Sequence, residues 1–242
     1  MLSEKPWQPD QVLQLLIRLF ASMMIGMVVV SWLNSTKWLD QDQVRFLSMA
    51  IGTLSFHGVG LGLIYGFLRE QGIGWEEAFG FCSPRLGHAL LLALVMAMAV
   101  LPIAWSLGQL SARVMSAFHV QPVVQTPVQM LQTAVSLPTK LVIGFLAILV
   151  APFVEELVFR GLIYPTLKQN GFPKLALWGT SLLFAAIHGN LTILLPLTFL
   201  AVVLTLLYEA TDNLLAPILA HSVFNFVNFF WVMAQPPSPA AL

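Results

Sequence analysis

Apolar residues in this chain fall into long unbroken runs, and the few charges sit mostly at the ends of those runs. A bilayer core about 30 Å thick takes roughly 20 apolar residues to cross as a helix, because hydrocarbon tolerates no unpaired backbone group. Residues 12–33 form the first run, with Arg18 near enough to one end to snorkel toward the headgroups. The second, 46–68, is bounded by Arg45 and Arg69, and the third, 88–110, is nearly pure Leu, Ala, Val and Met. All three read as lipid-facing scaffold. Residues 111–138 lack charge after Arg113 but are rich in Gln, Thr and Pro, which predicts a loop with a short interfacial helix. Residues 140–169 read as one long helix, apolar in its first half and carrying Glu155, Glu156 and Arg160 in its second, ended by Gly171 and Pro173.

Residues 175–188 are short for a span, and Gly189 with Asn190 breaks the helix just after His188. Residues 193–208 follow, with Pro196 in the first turn. The last span begins at Asp212 and Asn213, residues suited to capping, tolerates Pro217 early and runs to about 232. The pattern predicts an all-α membrane protein, a polytopic bundle of seven transmembrane helices, or eight if 111–138 hides another. No internal repeat is present. Polar residues divide the chain into N-terminal scaffold helices and loop over 1–137, a helical part richer in chemistry over 138–232, and a C-terminal tail over 233–242.

Composition strengthens this picture and narrows the function. The chain is 58% hydrophobic and 9% charged with a mean hydropathy of +0.83, where a soluble domain carries about 25% charged residues. It is expected to be an integral, multi-pass membrane protein in contact with the lipid bilayer. Eleven basic and eleven acidic residues cancel, so no basic field exists for gripping nucleic acid. Cys82 is the single cysteine, which excludes an intrachain disulfide and any Cys-x-x-Cys site. The first ten residues show no basic flank, and no small-residue cleavage site follows the first apolar run, so that run is expected to be retained.

An ionisable group inside a bilayer costs about 2.5 to 3.5 kcal/mol or more, so such groups point to function. Three segments carry them. In the first, Glu156 and Arg160 are four residues apart with the acid N-terminal, the favourable order for a same-face ion pair. Glu155 points about 100° away from that pair. In the second, His188 ends an apolar helix with Phe184 one turn behind it on the same face. In the third, His221 and Asn225 lie one turn apart and face the same neighbour.

Each segment alone also fits a plain role: a structural polar cluster, a satisfied interfacial histidine, or interhelical glue. Together they place an acid, two imidazoles and an amide on the last four spans, where the first three offer only His57 and His88. His57 lies among Gly52, Gly58, Gly60 and Gly62, which suggests close helix packing. His88 and His119, at a span end and in a loop, carry no assigned chemistry. Ser55 and Ser222 lack a Gly-x-Ser-x-Gly setting.

Glu-Glu-x-x-x-Arg at 155–160, Phe-x-x-x-His at 184–188 and His-x-x-x-Asn at 221–225, in that order on successive helices, resemble the CAAX protease and bacteriocin-processing family of intramembrane endopeptidases. The resemblance covers about residues 138–232, and family members usually have eight spans. It implies hydrolysis of a peptide bond in a membrane-associated or prenylated protein or peptide. By it Glu155 matches the essential glutamate, His188 and His221 the two histidines, and Asn225 the amide, with Glu156 and Arg160 supporting the site.

Residue chemistry agrees with these roles. Apolar surroundings make a carboxylate a better proton acceptor, so Glu155 with His188 could deprotonate a water, needing no cofactor. His221 and Asn225 could donate to the oxyanion on the scissile carbonyl. A metalloprotease version uses Glu155, His188 and His221 as ligands of a divalent metal such as zinc with an open position. No His-Glu-x-x-His helix accompanies it. The rival class is a non-catalytic membrane scaffold or bacteriocin self-immunity protein binding a partner, and a proton-coupled transporter is a third reading.

Overall fold

The computed structural model describes residues 2–36, 38–82, 85–121, 124–134 and 136–235; of the tail expected over 233–242, residues 236–242 lie outside this set. The described elements are helical throughout: α1 (Pro9–Ser35), α2 (Gln41–Thr53), α3 (Val59–Gln71), α4 (Trp75–Phe79), α5 (Leu86–Ala117), α6 (Thr126–Thr133), α7 (Leu137–Phe145), α8 (Ala151–Glu156), α9 (Tyr164–Gln169), α10 (Thr180–Ala186), α11 (Leu191–Thr211) and α12 (Leu215–Ala234). Short π-helical turns, each holding an extra residue relative to the α repeat, occupy Leu54–Gly58, Leu146–Val150, Leu157–Ile163 and Leu175–Gly179.

Six continuous helices are long and apolar enough to cross a membrane: Pro9–Ser35, Gln43–Gln71, Leu86–Ala117, Leu137–Gln169, Leu191–Thr211 and Leu215–Ala234. The seventh expected span is the shorter apolar helix Leu175–Ala186, about 18 Å long at 1.5 Å per residue. The chain is an integral, multi-pass, all-α membrane protein. No eighth span is found among the described residues. The 111–138 region holds the end of α5, which runs on to Ala117, and the eight-residue α6.

The chain divides into two compact units, residues 6–78 and the chain from Phe79 onward together with residues 2–5. In the first unit α1 packs along α2 and α3. Ser22 donates to the Ser55 carbonyl at 3.0 Å inside the first π turn, and Trp7 meets Phe67 edge-on at 5.4 Å between ring centres. The close approach is at Gly26, where a Cβ would run into Ser55. Of the glycines near His57, Gly60 is buried, whereas a Cβ on Gly52 or Gly62 would meet nothing within 4 Å and on Gly58 only Leu54 of its own turn at 3.5 Å.

In the second unit α5 packs against α11 and α12. Small residues permit close helix contact where lipid offers no competing hydrophobic drive. Ala89, Ala93 and Ala97, one turn apart on α5, are buried in one core with Leu200, Leu204, Ala216 and Ala220. The third span, expected as lipid-facing scaffold, therefore supports the helices that carry His221. Asn213 caps α12 by accepting from Leu215 N at 2.9 Å, and Asn190 caps α11 by accepting from Thr192 N at 2.9 Å.

Residues 2–5 lie along the ends of α9 and α11. Ser3 donates from N and Oγ to Asp212 at 3.1 and 3.0 Å, and Lys5 Nζ approaches Asp212 Oδ1 at 3.8 Å. Glu209 accepts from Tyr164 at 2.7 Å and pairs with Lys168. Burial pushes the Lys5 ammonium below its ordinary range, and Asp212 only partly offsets it.

Candidate active site

The helix Leu137–Gln169 reaches the site through a π turn, and a proline follows that turn. Ala151 N donates to Leu146 O, a five-residue bond. The next bond of that type would run from residue 152 to Ala147 O, but residue 152 is proline and has no N–H. Asn225 on α12 fills the vacancy: its Nδ2 donates to Ala147 O at 2.8 Å. A half-buried carbonyl that a proline would orphan is thereby satisfied from the neighbouring helix.

One turn further on, the ion pair expected from spacing is formed, Arg160 Nη1 to Glu156 Oε1 at 2.8 Å, with Glu156 0% and Arg160 1% exposed. A buried pair is stable only if its remaining donors are matched. Here they are: Arg160 Nη2 donates to Ala201 O at 3.0 Å and Nε to Thr205 Oγ1 at 3.3 Å, both on α11. The guanidinium also lies over the Phe184 ring, 4.8 Å from its centre.

Glu156 Oε1 takes a second contact, His221 Nδ1 at 2.9 Å. An ionised carboxylate only accepts, so His221 carries its proton on Nδ1 and turns Nε2 the other way. There it faces Glu155 Oε2 at 3.9 Å. That separation is too long for a direct hydrogen bond and suits two groups sharing one water. The adjacent glutamates thus bracket one imidazole, Glu156 fully buried and Glu155 with 12% of its side chain exposed.

Phe184 is the apolar centre of the site. Its ring lies 5.7 Å from His221, 5.1 Å from His188 and 5.2 Å from Phe159. His188 Nδ1 donates to the Phe184 carbonyl at 2.7 Å, which fixes this imidazole at the open end of α10 with Nε2 turned outward. His188 is exposed, whereas His221 is buried.

The structure therefore brings Glu155 and Glu156 to His221, links Arg160 to it through Glu156, joins His188 through Phe184, and ties Asn225 to the backbone beside Pro152. Spacing pairs Glu156 with Arg160, and in the structure Glu156 also hydrogen-bonds His221. The anchors on α11 escaped sequence reasoning, since a threonine in an apolar helix is commonplace and the Ala201 carbonyl leaves no side-chain signal. Among the described residues no three His, Cys, Asp or Glu side chains gather as a group able to hold a metal ion. Glu155, His188 and His221 do not form a ligand set in this geometry.

A family comparison falls on the same stretch of chain. Residues 137–227 match the family of type II CAAX prenyl endopeptidases described as Rce1-like. The uncharacterized protein YpbD of Bacillus subtilis (strain 168) is 34% identical over 87 residues, 34% of this chain and 41% of that relative. The chain thus spans less than half the length of the curated relative it matches. No solved structure matches. The helices that gather Glu155, Glu156, Arg160, His188, His221 and Asn225 lie within the stretch, residues 137–227, that is similar to the Rce1-like type II CAAX prenyl endopeptidase family, in a multi-pass membrane protein.

Proposed function

We propose that the chain is an intramembrane endopeptidase that hydrolyses a peptide bond of a membrane-associated or prenylated protein or peptide, using water activated by Glu155. The supporting observation is the bracketed imidazole: His221 Nδ1 is held by Glu156 at 2.9 Å while Nε2 faces Glu155 Oε2 at 3.9 Å. A water accepted by both Glu155 Oε2 and His221 Nε2 has its lone pair directed away from them, toward a scissile carbonyl. As its oxygen bonds to that carbon, its proton passes to Glu155. The developing oxyanion takes the second N–H of the Asn225 amide, whose first is committed to Ala147. Collapse expels the amine, which takes its proton from Glu155, so the carboxylate is regenerated. His188, at the exposed end of α10, meets the substrate from the open side. In this reading His221 stands beside the base, the place the residue order alone gives to His188, and the 3.9 Å approach of Nε2 to Glu155 supports it.

The test compares protein C-termini by proteomics in cells carrying wild type or Glu155→Gln. Expected are C-termini shortened in wild type and left intact in the variant, at equal expression. Identical sets would discard the assignment in favour of a non-catalytic membrane scaffold. Chelation and zinc add-back on the purified protein address the metal version.

A further inference from the structure

Among the described residues of the second unit six threonines bond back to the carbonyl four residues earlier: Thr133, Thr166, Thr180, Thr198, Thr205 and Thr211. This habit of threonines in apolar helices hides the hydroxyl from lipid and has no further consequence. Thr205 differs. It is 0% exposed, its proton goes to Ala201 O at 2.9 Å, and its oxygen then accepts from Arg160 Nε at 3.3 Å. The same Ala201 carbonyl accepts from Arg160 Nη2 at 3.0 Å. One turn of α11 therefore presents two acceptors in the plane of the guanidinium fork, and the third nitrogen is left for Glu156 Oε1.

The chain of contacts continues without a gap, from Thr205 to Arg160, Glu156 and the Nδ1 edge of His221. A guanidinium held at three nitrogens is fixed in plane and rotation, which in turn sets where Glu156 Oε1 sits and how the imidazole is aimed. Rotation of the Arg160 plane about its Nη1 contact would swing Glu156 and tilt His221 Nε2 away from Glu155.

We infer that Thr205 is a positioning residue for the hydrolytic site, acting on His221 through Arg160 and Glu156. This rests on the reading of His221 as part of that site. It touches no substrate, so its loss slows the chemical step without weakening binding.

The test uses the full chain in phosphatidylcholine vesicles with a fluorogenic peptide ending in a prenylated cysteine and three further residues. Thr205→Val keeps the shape and removes the acceptor, and Thr205→Ser keeps the acceptor. For Thr205→Val, kcat should fall about tenfold to a hundredfold, the scale of one hydrogen bond to a charged group, with KM unchanged. Thr205→Ser should recover most of the loss. In an Arg160→Met background Thr205→Val should add nothing further, since the route is already cut.

A second readout needs no turnover: histidine nitrogen resonances should show His221 protonated at Nδ1 in wild type and Thr205→Ser, and a mixture of ring states in Thr205→Val. Wild-type kinetics and unchanged resonances in Thr205→Val overturn the proposal, as does equal loss in the Val and Ser variants. A wild-type protein that is folded, with His221 protonated at Nδ1, yet cleaves neither this peptide nor any cellular C-terminus overturns the endopeptidase reading, and the role of Thr205 in it falls with it.

Discussion

Replacing Glu156 by glutamine tests the arrangement at its most constrained point. Oε1 of Glu156 accepts from both Arg160 and His221, while Oε2 has no hydrogen-bond partner among the described residues. Glutamine can keep its carbonyl oxygen on those two donors and put its NH2 where Oε2 stood, so shape survives and charge is lost. Arg160, 1% exposed, is then a buried cation without its carboxylate. Breaking such a pair costs about 3–5 kcal/mol, which for a chain of this size lowers the melting temperature by about 6–20 °C. Partners found by the unfolded chain within the membrane favour the lower end. Thermal unfolding in detergent micelles, followed by circular dichroism, measures it. Glu156→Gln with Arg160→Met removes the stranded charge and should regain most of the stability, while peptide cleavage stays lost because nothing charged aims His221. A Glu156→Gln protein melting within about 3 °C of wild type, near 1 kcal/mol, would refute the reasoning.

Two further outcomes follow from the same contacts. Asn225→Ala leaves the Ala147 carbonyl without a donor and should cost about 1–3 kcal/mol in thermal unfolding. In a Pro152→Ala background, where residue 152 regains an N–H, the cost should fall below about 1 kcal/mol, and equal costs in both backgrounds would dismiss the pairing. Lys5 has its folded pKa depressed by burial below the ordinary 10.5, so the unfolded chain binds more protons in the interval between the two values. The destabilisation is full below the folded pKa and fades as pH rises toward 10.5. Lys5→Met should therefore match or exceed wild-type stability at neutral pH and abolish the rise of stability with pH on the alkaline side, both read from unfolding at stepped pH.

Much of this was legible in the residue order because bilayers impose strict lengths and helices strict spacing. The six long helices, the break after His188, the Asn213 cap and the Glu156 to Arg160 pair all follow from local rules. Which glutamate holds His221 did not follow. Spacing separates residues 155 and 156 by about 100° but says nothing about which side faces α12, and the π turn before Pro152 shifts that phase again. The partner of Asn225 was hidden for a related reason, since a side chain answering a proline on another helix leaves no mark in either segment. The small-residue face of α5 was equally silent, because alanine serves lipid contact and helix contact alike. Of the four glycines near His57 that pointed to close packing, Gly60 is buried, while Gly52 and Gly62 face open space and the closest approach is at Gly26 on the facing helix.

The π turns have a consequence for how this helix tolerates change in length. Leu146–Val150 and Leu157–Ile163 bracket the two glutamates, so the stretch Ala151–Glu156 is offset from the flanking helix by a surplus residue at each end. Loss of one residue within either turn would convert it to ordinary α geometry, with the backbone bonds remade except at Pro152, which has no N–H, and the hydrophobic length nearly intact. The downstream side chains would meanwhile revolve by about 100°, enough to carry Arg160 off Phe184 and α11. Deletions here are gentle on insertion and folding yet ruinous for alignment, so the surplus residues act as a phase setting for the acidic pair.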